Sequence, residues 1–307
     1  MKDPLIRVIE GGGSGFRFAD VRDTEIGPVV YPTEKITSVE QLLAFIKHDS
    51  HLESVDAIAV SVAGVIRDQS LVEVSPNLHF LDRVNLGLQI NLHTSKLAIV
   101  VNDMEASVTG MARLFPNLER FAGITWSSGI GMRIWNNGRI LSDSEAGHVC
   151  IDSSPFAPLC GCGRRGCIEA IASGSAIERR VTSELAIRGI KMSAGVSPCV
   201  LLDVAYCAGE SWALQIYQIV AISMGQFLAN LQTTLHLPAI VWKGSFGLKV
   251  LRLRVMEGMI RSVMRSHLIH PAWEQDLKFY YVPQPPQLIQ DGDAFIGAAN
   301  LALSLFA

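Results

Sequence analysis

Between Glu145 and Glu169 the chain sets four metal-ligating side chains within twenty residues: His148, Cys160, Cys162 and Cys167. No other stretch limits the fold so tightly, because a bound ion would draw the two ends of this segment to one point. Gly161, Gly163 and Gly166, with the loop after His148, let the backbone close around such a centre. A Cys₃His set suits tetrahedral zinc, and a closed set leaves no position for water, so the ion would be structural. Glu145 lies three residues before the His and Glu169 two after the last Cys. A bound ion would fix both carboxylates relative to each other, as ligands fix the groups around them. Ionised carboxylates accept several hydrogen bonds each, which suits a ligand rich in hydroxyl groups. Two other readings stay open at this level. Cys160-Gly161-Cys162 is also the spacing of a redox pair or part of a disulfide framework, and a metal site can hold a fold together with no functional neighbour.

A chain of 307 residues suggests one large domain or two lobes. With 49% hydrophobic residues and positive mean hydropathy, it can fill a large core, which argues against disorder. The net charge of −3, the pI near 6.2 and the lack of a basic block make nucleic acid a poor partner. Residues 1–4 lead directly into a strand-like run, so no signal peptide is expected. Six cysteines, four of them in or beside the cluster, fit a reducing compartment, and a cytoplasmic location is expected. Residues 211–242 carry no charge. Gln215, Gln218, Ser223, Gln226 and Asn230 recur there at helical spacing, which predicts a buried helix with one polar stripe rather than a membrane span.

In chain order, residues 5–10 and 16–21 read as strands joined by a glycine-rich tip, Gly11 to Gly15. Such a tip lets backbone N–H groups approach phosphate oxygens, Ser14 adds a hydroxyl, and Glu10 is an oxygen donor of the kind Mg²⁺ takes; a bare hairpin turn is the competing reading. Residues 39–46 predict an amphipathic helix. Buried strands are predicted at 55–61, ending in Val62-Ala63-Gly64, and at 96–101, ending in Asn102-Asp103. Residues just past the carboxyl ends of strands bind ligands in open α/β sheets. Asp103 there can accept a proton or cap the helix predicted over 104–114. Asn77 offers an amide in a loop, to a ligand or to solvent. A strand at 122–126 precedes a second small-residue loop, 127–131, and Asn137-Gly138 signals a hairpin. Ser173-Gly174-Ser175 and Ser197-Pro198 open further helices. A strand at 239–242 runs into a third glycine loop, 243–247, then a helix to about 266, a strand at 279–282 and a last helix from 293. No repeat or linker is visible.

The 145–169 stretch resembles the signature of the ROK family of repressors, open reading frames and kinases: Glu-x-Gly-His, a short loop, then Cys-x-Cys-Gly-x-x-Gly-Cys-x-Glu. The likeness extends over nearly the whole chain. It implies an α/β chain of the actin-like ATPase (ribonuclease H-like, hexokinase-type) fold, with two lobes around a central cleft. One lobe would comprise residues 1–115 and 291–307. The other, 116–290, would carry the zinc segment 148–167. Family kinases, among them enzymes for glucose, N-acetylglucosamine and N-acetylmannosamine, transfer the terminal phosphoryl of ATP to a sugar with Mg²⁺. Under the resemblance, Glu10, Gly12, Gly13, Ser14 and Arg17 form the first phosphate loop. Ser128 and Gly129 belong to the second, and Gly244 and Ser245 to the adenosine loop. Asp103 becomes the general base. Gly64, Asn77, Asn102, Asp103, Glu145, His148 and Glu169 hold sugar hydroxyls, and zinc sits on His148, Cys160, Cys162 and Cys167.

The expected function is therefore an ATP- and Mg-dependent kinase for a hexose or N-acetylhexosamine, built as a homodimer or homotetramer. The apolar C-terminal helix is a candidate contact between subunits. The first loop starts at Glu10, which leaves no room for the helix-turn-helix of family repressors. Several positions depart from the family pattern. Glu10 replaces Asp, Ser14 replaces Thr and Ser127 replaces Gly; Arg133 stands where a small residue is common, and Lys243 and Ser245 where the adenosine loop is often glycine. Glu10 and Ser14 keep the chemistry of the residues they replace, whereas side chains at Lys243 and Ser245 would crowd a nucleotide, which gives a second reading: a sugar-binding regulator with impaired or lost phosphoryl transfer.

Overall fold

A computed structural model describes residues 3–12, 15–47, 52–141, 144–192, 195–252, 254–284, 287–289 and 291–306. The chain gathers into two compact units: Met1–Glu119 with Trp135–Leu141 and Val282–Ala307, and Arg120–Ile134 with Ser142–Tyr281.

The first unit begins with strands β1 (Ile6–Gly12), β2 (Gly15–Arg22) and β3 (Glu25–Ile26), then helix α1 (Val39–Lys47) and strand β4 (Ala57–Val62). Three short strands follow, β5 (Val65–Arg67), β6 (Leu71–Val74) and β7 (Val84–Asn85), forming a small sheet of their own. Helix α2 (Leu86–Thr94), strand β8 (Leu97–Asn102) and helix α3 (Asp103–Leu114) complete the run. The main sheet has the order β3-β2-β1-β4-β8, with β4 parallel to both β1 and β8. All six residues of β4 are buried, as in a strand covered on both faces.

Alternation along the strands sorts the two faces. Ile58, Val60 and Val62 meet Leu42, Leu43 and Ile46 of α1 and Ile90 of α2. Ala57 and Ala59, with Ile99 and Val101, pack on the side of Ala106, Phe295 and Ala298. The smaller side chains on that face let two helices lie close to the sheet.

Strands β9 (Arg120–Trp126) and β10 (Ile130–Asn136) come next, then β11 (Arg139–Ile140), which with the last two residues of β10 falls in the Trp135–Leu141 stretch of the first unit. Helices α4 (Ile168–Ala172), α5 (Gly174–Ile187), α6 (Pro198–Cys207) and α7 (Ser211–Leu235) follow. Then come β12 (Ala239–Lys243), α8 (Ser245–Arg252), α9 (Arg254–His267), α10 (Trp273–Asp276) and β13 (Lys278–Tyr281). The sheet order is β11-β10-β9-β12-β13, with β12 parallel to β9 and β13. A large cluster of Trp126, Trp242, Tyr217, Phe227 and their neighbours fills the second unit.

Two expectations need correction here. Gln215, Gln218 and Asn230 face solvent along α7, but so do Leu214 and Ile222, whereas Ser223 is buried. Ser223 stands one residue, about 100° of helical rotation, from the exposed Ile222. It faces the core, and α7 has an open side instead of being buried all round.

The last helix, α11 (Gly292–Ala302), returns to the first unit. It buries Phe295, Ile296, Ala298, Ala299 and Ala302. Those apolar residues are core, so the helix does not present them to another subunit; beyond it, Leu303 and Phe306 are exposed.

Helices α3 and α11 meet through glycines. A Cβ on Gly297 would stand 1.7 Å from the Ala106 carbonyl oxygen, and one on Gly110 would stand 1.8 Å from that of Asp293. No rotamer change relieves a clash with backbone, so the helices would have to part. Gly297→Ala is therefore expected to lower unfolding free energy in a urea titration by about 3 kcal/mol, the upper part of the range for overpacking. Gly258→Ala in α9, where a Cβ would meet nothing within 4 Å, should be neutral or stabilising by up to about 1 kcal/mol.

Candidate functional site

The cysteine segment folds back on itself through a short antiparallel contact. Ile151 N–H donates to the Gly166 carbonyl (2.8 Å) and Ile168 N–H to that of Val149 (2.9 Å). Within the turn, Cys160 N–H donates to Arg164 (2.7 Å) and Gly163 N–H to Cys160 (3.0 Å). Gly166 is required on two grounds: its φ is +73°, and a Cβ there would lie 1.7 Å from the Asp152 carbonyl oxygen. The outcome is that one ligand atom from each of His148, Cys160, Cys162 and Cys167 lies within 4.8 Å of every other.

Two of those separations test the fit to an ion. Cys162 Sγ and Cys167 Sγ are 3.7 Å apart, and Cys160 Sγ is 3.5 Å from His148 Nδ1. Tetrahedral zinc with its usual bond lengths sets about 3.8 Å between two sulfurs and about 3.6 Å between sulfur and imidazole nitrogen. A hydrogen bond from the Arg164 backbone holds the Cys162 thiol down to about 6, while burial pushes the Cys167 thiol up to about 12. A cation at the centre would reverse that burial penalty by stabilising the thiolate.

Glu169 is the second residue of α4. Its Oε2 accepts the Ile130 N–H at 2.9 Å. It stands so close to Gly129 and Gly147 that a Cβ on either would come within 2.7 Å or 3.3 Å of it. One carboxylate thus touches both the 127–131 loop and the turn that carries His148. In that turn His148 N–H donates to the Glu145 carbonyl at 3.0 Å. The Glu145 side chain is largely exposed, 3.9 Å from a nitrogen of the buried Arg133. Arg133 donates to the carbonyls of Met132 (3.1 Å) and Ser144. It therefore fastens the approach to Glu145, a role its position in the sequence did not suggest.

The second and third glycine loops border one cavity of 340 Å³. Ser127, Ser128, Ser175, Ser245 and Phe246 line it, together with Glu178, Ser197, Cys199 and Lys249. Carbonyls of the 127–129 loop satisfy the first amides of α5: Gly174 N–H reaches Ser127 O (2.7 Å) and Ser175 N–H reaches Ser128 O (3.2 Å). Of the two side chains expected to crowd this loop, Lys243 is buried in β12 and is not part of the lining, whereas Ser245 is. Ser197 Oγ donates to Glu178 at 3.0 Å, and Lys249 pairs with Asp203. Burial raises the Cys199 thiol to about 11. Glu178, Cys199 and Lys249 were missed in the sequence; its only hint was that α5 and α6 both open on serine-rich caps near this point.

In the first unit the expected sugar residues collect beyond the carboxyl ends of β4 and β8. Asn102, not Asp103, caps α3. Its Oδ1 accepts the N–H groups of Met104 (2.9 Å) and Glu105 (3.2 Å), and its Nδ2 donates to the Gly64 carbonyl (3.0 Å). Asp103 is half-buried as the first residue of the helix, with Oδ1 accepting Met104 N–H at 2.9 Å. Ser75 Oγ donates to Ala63 O (2.8 Å) and Asp82 accepts the Ser75 N–H (2.7 Å). This joins the Gly64 loop to the loop that carries the exposed Asn77. Glu10 and Arg17 face each other across the first hairpin. Arg17 donates to Glu10 and also to Asp291 Oδ2, at 2.9 Å. Gly12 ends β1, with open space where a Cβ would be. Gly13 and Ser14 lie outside the described residues.

The ROK family model matches residues 10–304, and the chain belongs to that family. An N-acetylmannosamine kinase of Escherichia coli is 31% identical over 205 residues, covering 62% of this chain and 64% of that protein. The match thus spans less than two thirds of the curated relative. A ROK family transcriptional regulator, homologous to the E. coli MLC protein, superposes with a TM-score of 0.79 at 22% identity, over 98% of this chain and 80% of that one. A ROK family glucokinase from Streptomyces griseus, solved with glucose and AMPPNP, gives a TM-score of 0.74 at 21% identity, over 98% and 99%. The fold is the actin-like ATPase fold of the hexokinase type. No helix among the described residues is long and apolar enough to cross a membrane.

The cluster geometry predicts one zinc per purified chain by elemental analysis, and its loss in Cys162→Ala. Binding at a thousandfold excess over Kd stabilises a fold by about 4 kcal/mol. Stripping the ion should therefore lower Tm by roughly 10 °C.

Proposed function

We propose that this ROK-family chain is a kinase that transfers the terminal phosphoryl of ATP, with magnesium, to a hydroxyl of a hexose or N-acetylhexosamine. The observation that carries the reading is the division of labour at the start of α3. Asn102 caps the helix and ties down Gly64, which leaves the role of base to the adjacent Asp103 carboxylate. Asp103 accepts the proton of the sugar hydroxyl as its oxygen attacks the γ-phosphorus, a contribution of roughly 10²–10⁴ in rate. In the first unit Gly64, Asn77 and Asn102 are the groups suited to sugar hydroxyls; in the second they are Glu145, His148 and Glu169.

The cavity bordered by Ser128 and Ser245 supports a nucleotide site in the second unit, with Gly129 and Gly244 on its loops; in the first unit Gly12, Gly13, Ser14 and Arg17 are the proposed phosphate-loop residues. Glu10 is an oxygen donor of the type magnesium takes, although Arg17 is its present partner. Magnesium supplies charge neutralisation on the phosphates during transfer. The Cys₃His set suits a structural zinc that keeps Glu169 and the His148 turn in register. A cytoplasmic homodimer or homotetramer belongs to the same reading, and light scattering measures that state.

One observation favours a sugar-binding regulator without phosphoryl transfer: the Glu10 carboxylate is engaged by Arg17, which is itself shared with Asp291. A coupled ADP-release assay across hexoses and N-acetylhexosamines separates the two readings. The kinase reading expects turnover with at least one sugar. Turnover should fall about 10²–10⁴-fold in Asp103→Asn, while the sugar still raises that variant's Tm. Sugar-induced stabilisation with no turnover and no ATP-dependent shift supports the regulator. Normal turnover in Asp103→Asn removes Asp103 from the mechanism.

A further inference from the structure

One thiol beside the cluster has no part in any of this. Cys150 is exposed, lies two residues after His148 and is not one of the four clustered ligands. Its partner in the short antiparallel contact is Cys167, which is buried. The flanking hydrogen bonds, Ile151 N–H to Gly166 O (2.8 Å) and Ile168 N–H to Val149 O (2.9 Å), fix the type of pairing. Cys150 and Cys167 form a non-hydrogen-bonded pair, whose side chains leave on one face and whose Cα atoms stand about 4.5 Å apart. A disulfide spans Cα separations of roughly 4.4–6.8 Å. Cys150 Sγ now rests at the surface, 3.4 Å from the Asp152 carbonyl oxygen, so rotation about its Cα–Cβ bond is the movement required.

We infer that Cys150 is an oxidation site that couples hydroperoxides to the cluster: once oxidised, it takes Cys167 as its disulfide partner and withdraws one of the four ligands. The inference rests on the zinc reading of the cluster. In the first step the Cys150 sulfur attacks one peroxide oxygen, the O–O bond breaks, and sulfenic acid forms with loss of an alcohol, or of water when the oxidant is hydrogen peroxide. In the second the Cys167 thiolate attacks the sulfenic sulfur and hydroxide leaves. Two electrons pass from the two sulfurs to one peroxide, and no other co-reactant is needed. The order follows from exposure, since the outer thiol meets the oxidant and the buried one resolves it. With Cys167 in the disulfide, three ligands remain and the ion is released.

The test uses the full zinc-loaded chain, hydrogen peroxide and a chromogenic chelator, followed by mass spectrometry of unreduced tryptic peptides. Expected are zinc release, a Cys150–Cys167 cross-link, and rebinding of zinc after dithiothreitol. Cys150→Ser should release zinc at least tenfold more slowly, while Cys207→Ser, which removes an exposed thiol on α6, should match the parent. Equal release from Cys150→Ser, or a cross-link between any other pair, overturns the inference. A purified chain that neither contains nor binds zinc would sink the metal reading and the coupling with it. Peroxide treatment of that zinc-free chain would still decide the pairing: a Cys150–Cys167 cross-link supports it, and its absence refutes it.

Discussion

Convergence of one imidazole and three sulfurs on a common point is the constraint on which the second unit's functional surface depends. The segment that carries them has little regular structure: a three-residue 3₁₀ turn at Ala146–His148, isolated bridges at Cys150–Cys167 and Leu159–Arg165, and a tight turn through Gly163 and Gly166. Few apolar side chains are available to hold it. Its own buried cluster is Cys160, Cys167 and Ala170, too small to define a loop of this length by hydrophobic burial. A bound ion would supply the missing energy, at the point where Glu169 leaves the segment and enters α4.

The first unit solves its positioning problem by other means. There the candidate site residues stand on strand ends and a helix cap, and the rigidity is that of the parallel strands β1, β4 and β8, with β4 buried throughout. Asn102 illustrates the economy of the arrangement, because one amide both satisfies two helix N–H groups and holds the Gly64 carbonyl. The close approach of α11 to α3 through Gly110 and Gly297 seats that helix, and with it Asp103, against the sheet. Two organising principles therefore serve one chain: converging ligand side chains in the second unit and hydrogen-bonded strand ends in the first.

Much of this was legible in the residues. The apolar runs of β4 and β8, the Ser197-Pro198 start of α6 and the Asn137-Gly138 turn after β10 all declare themselves through local chemistry. The segment from β5 to α2 did not. Its strands have three, four and two residues, too short for alternation to register. The sequence of α2 places Leu86, Leu88, Ile90 and Leu92 at every second position, a strand pattern. Only Leu86 and Ile90 are buried among these four, while Leu88 and Leu92 are exposed. The helix forms because Asn85 caps it, accepting Leu88 N–H at 3.1 Å, and because the core accepts one face. Arg133 was equally opaque, since its partners are backbone carbonyls, which leave no trace in a residue string. The cavity under Glu178 and Lys249 depends on side chains from α5, α6 and α8 that only the folded chain assembles.

The grip of α5 on the 127–129 loop has a mechanical consequence. Cys167 caps α4, Ser173 caps α5, and the next two amides clasp the carbonyls of Ser127 and Ser128. From Cys167 to Gly174 at the lip of the cavity there are eight residues of continuous, hydrogen-bonded chain, with the Glu169 carboxylate two residues from its start. Closure of the cysteine cluster, aim of the acid and shape of the cavity mouth are thus settings of a single lever, and a substitution that resets one resets them all.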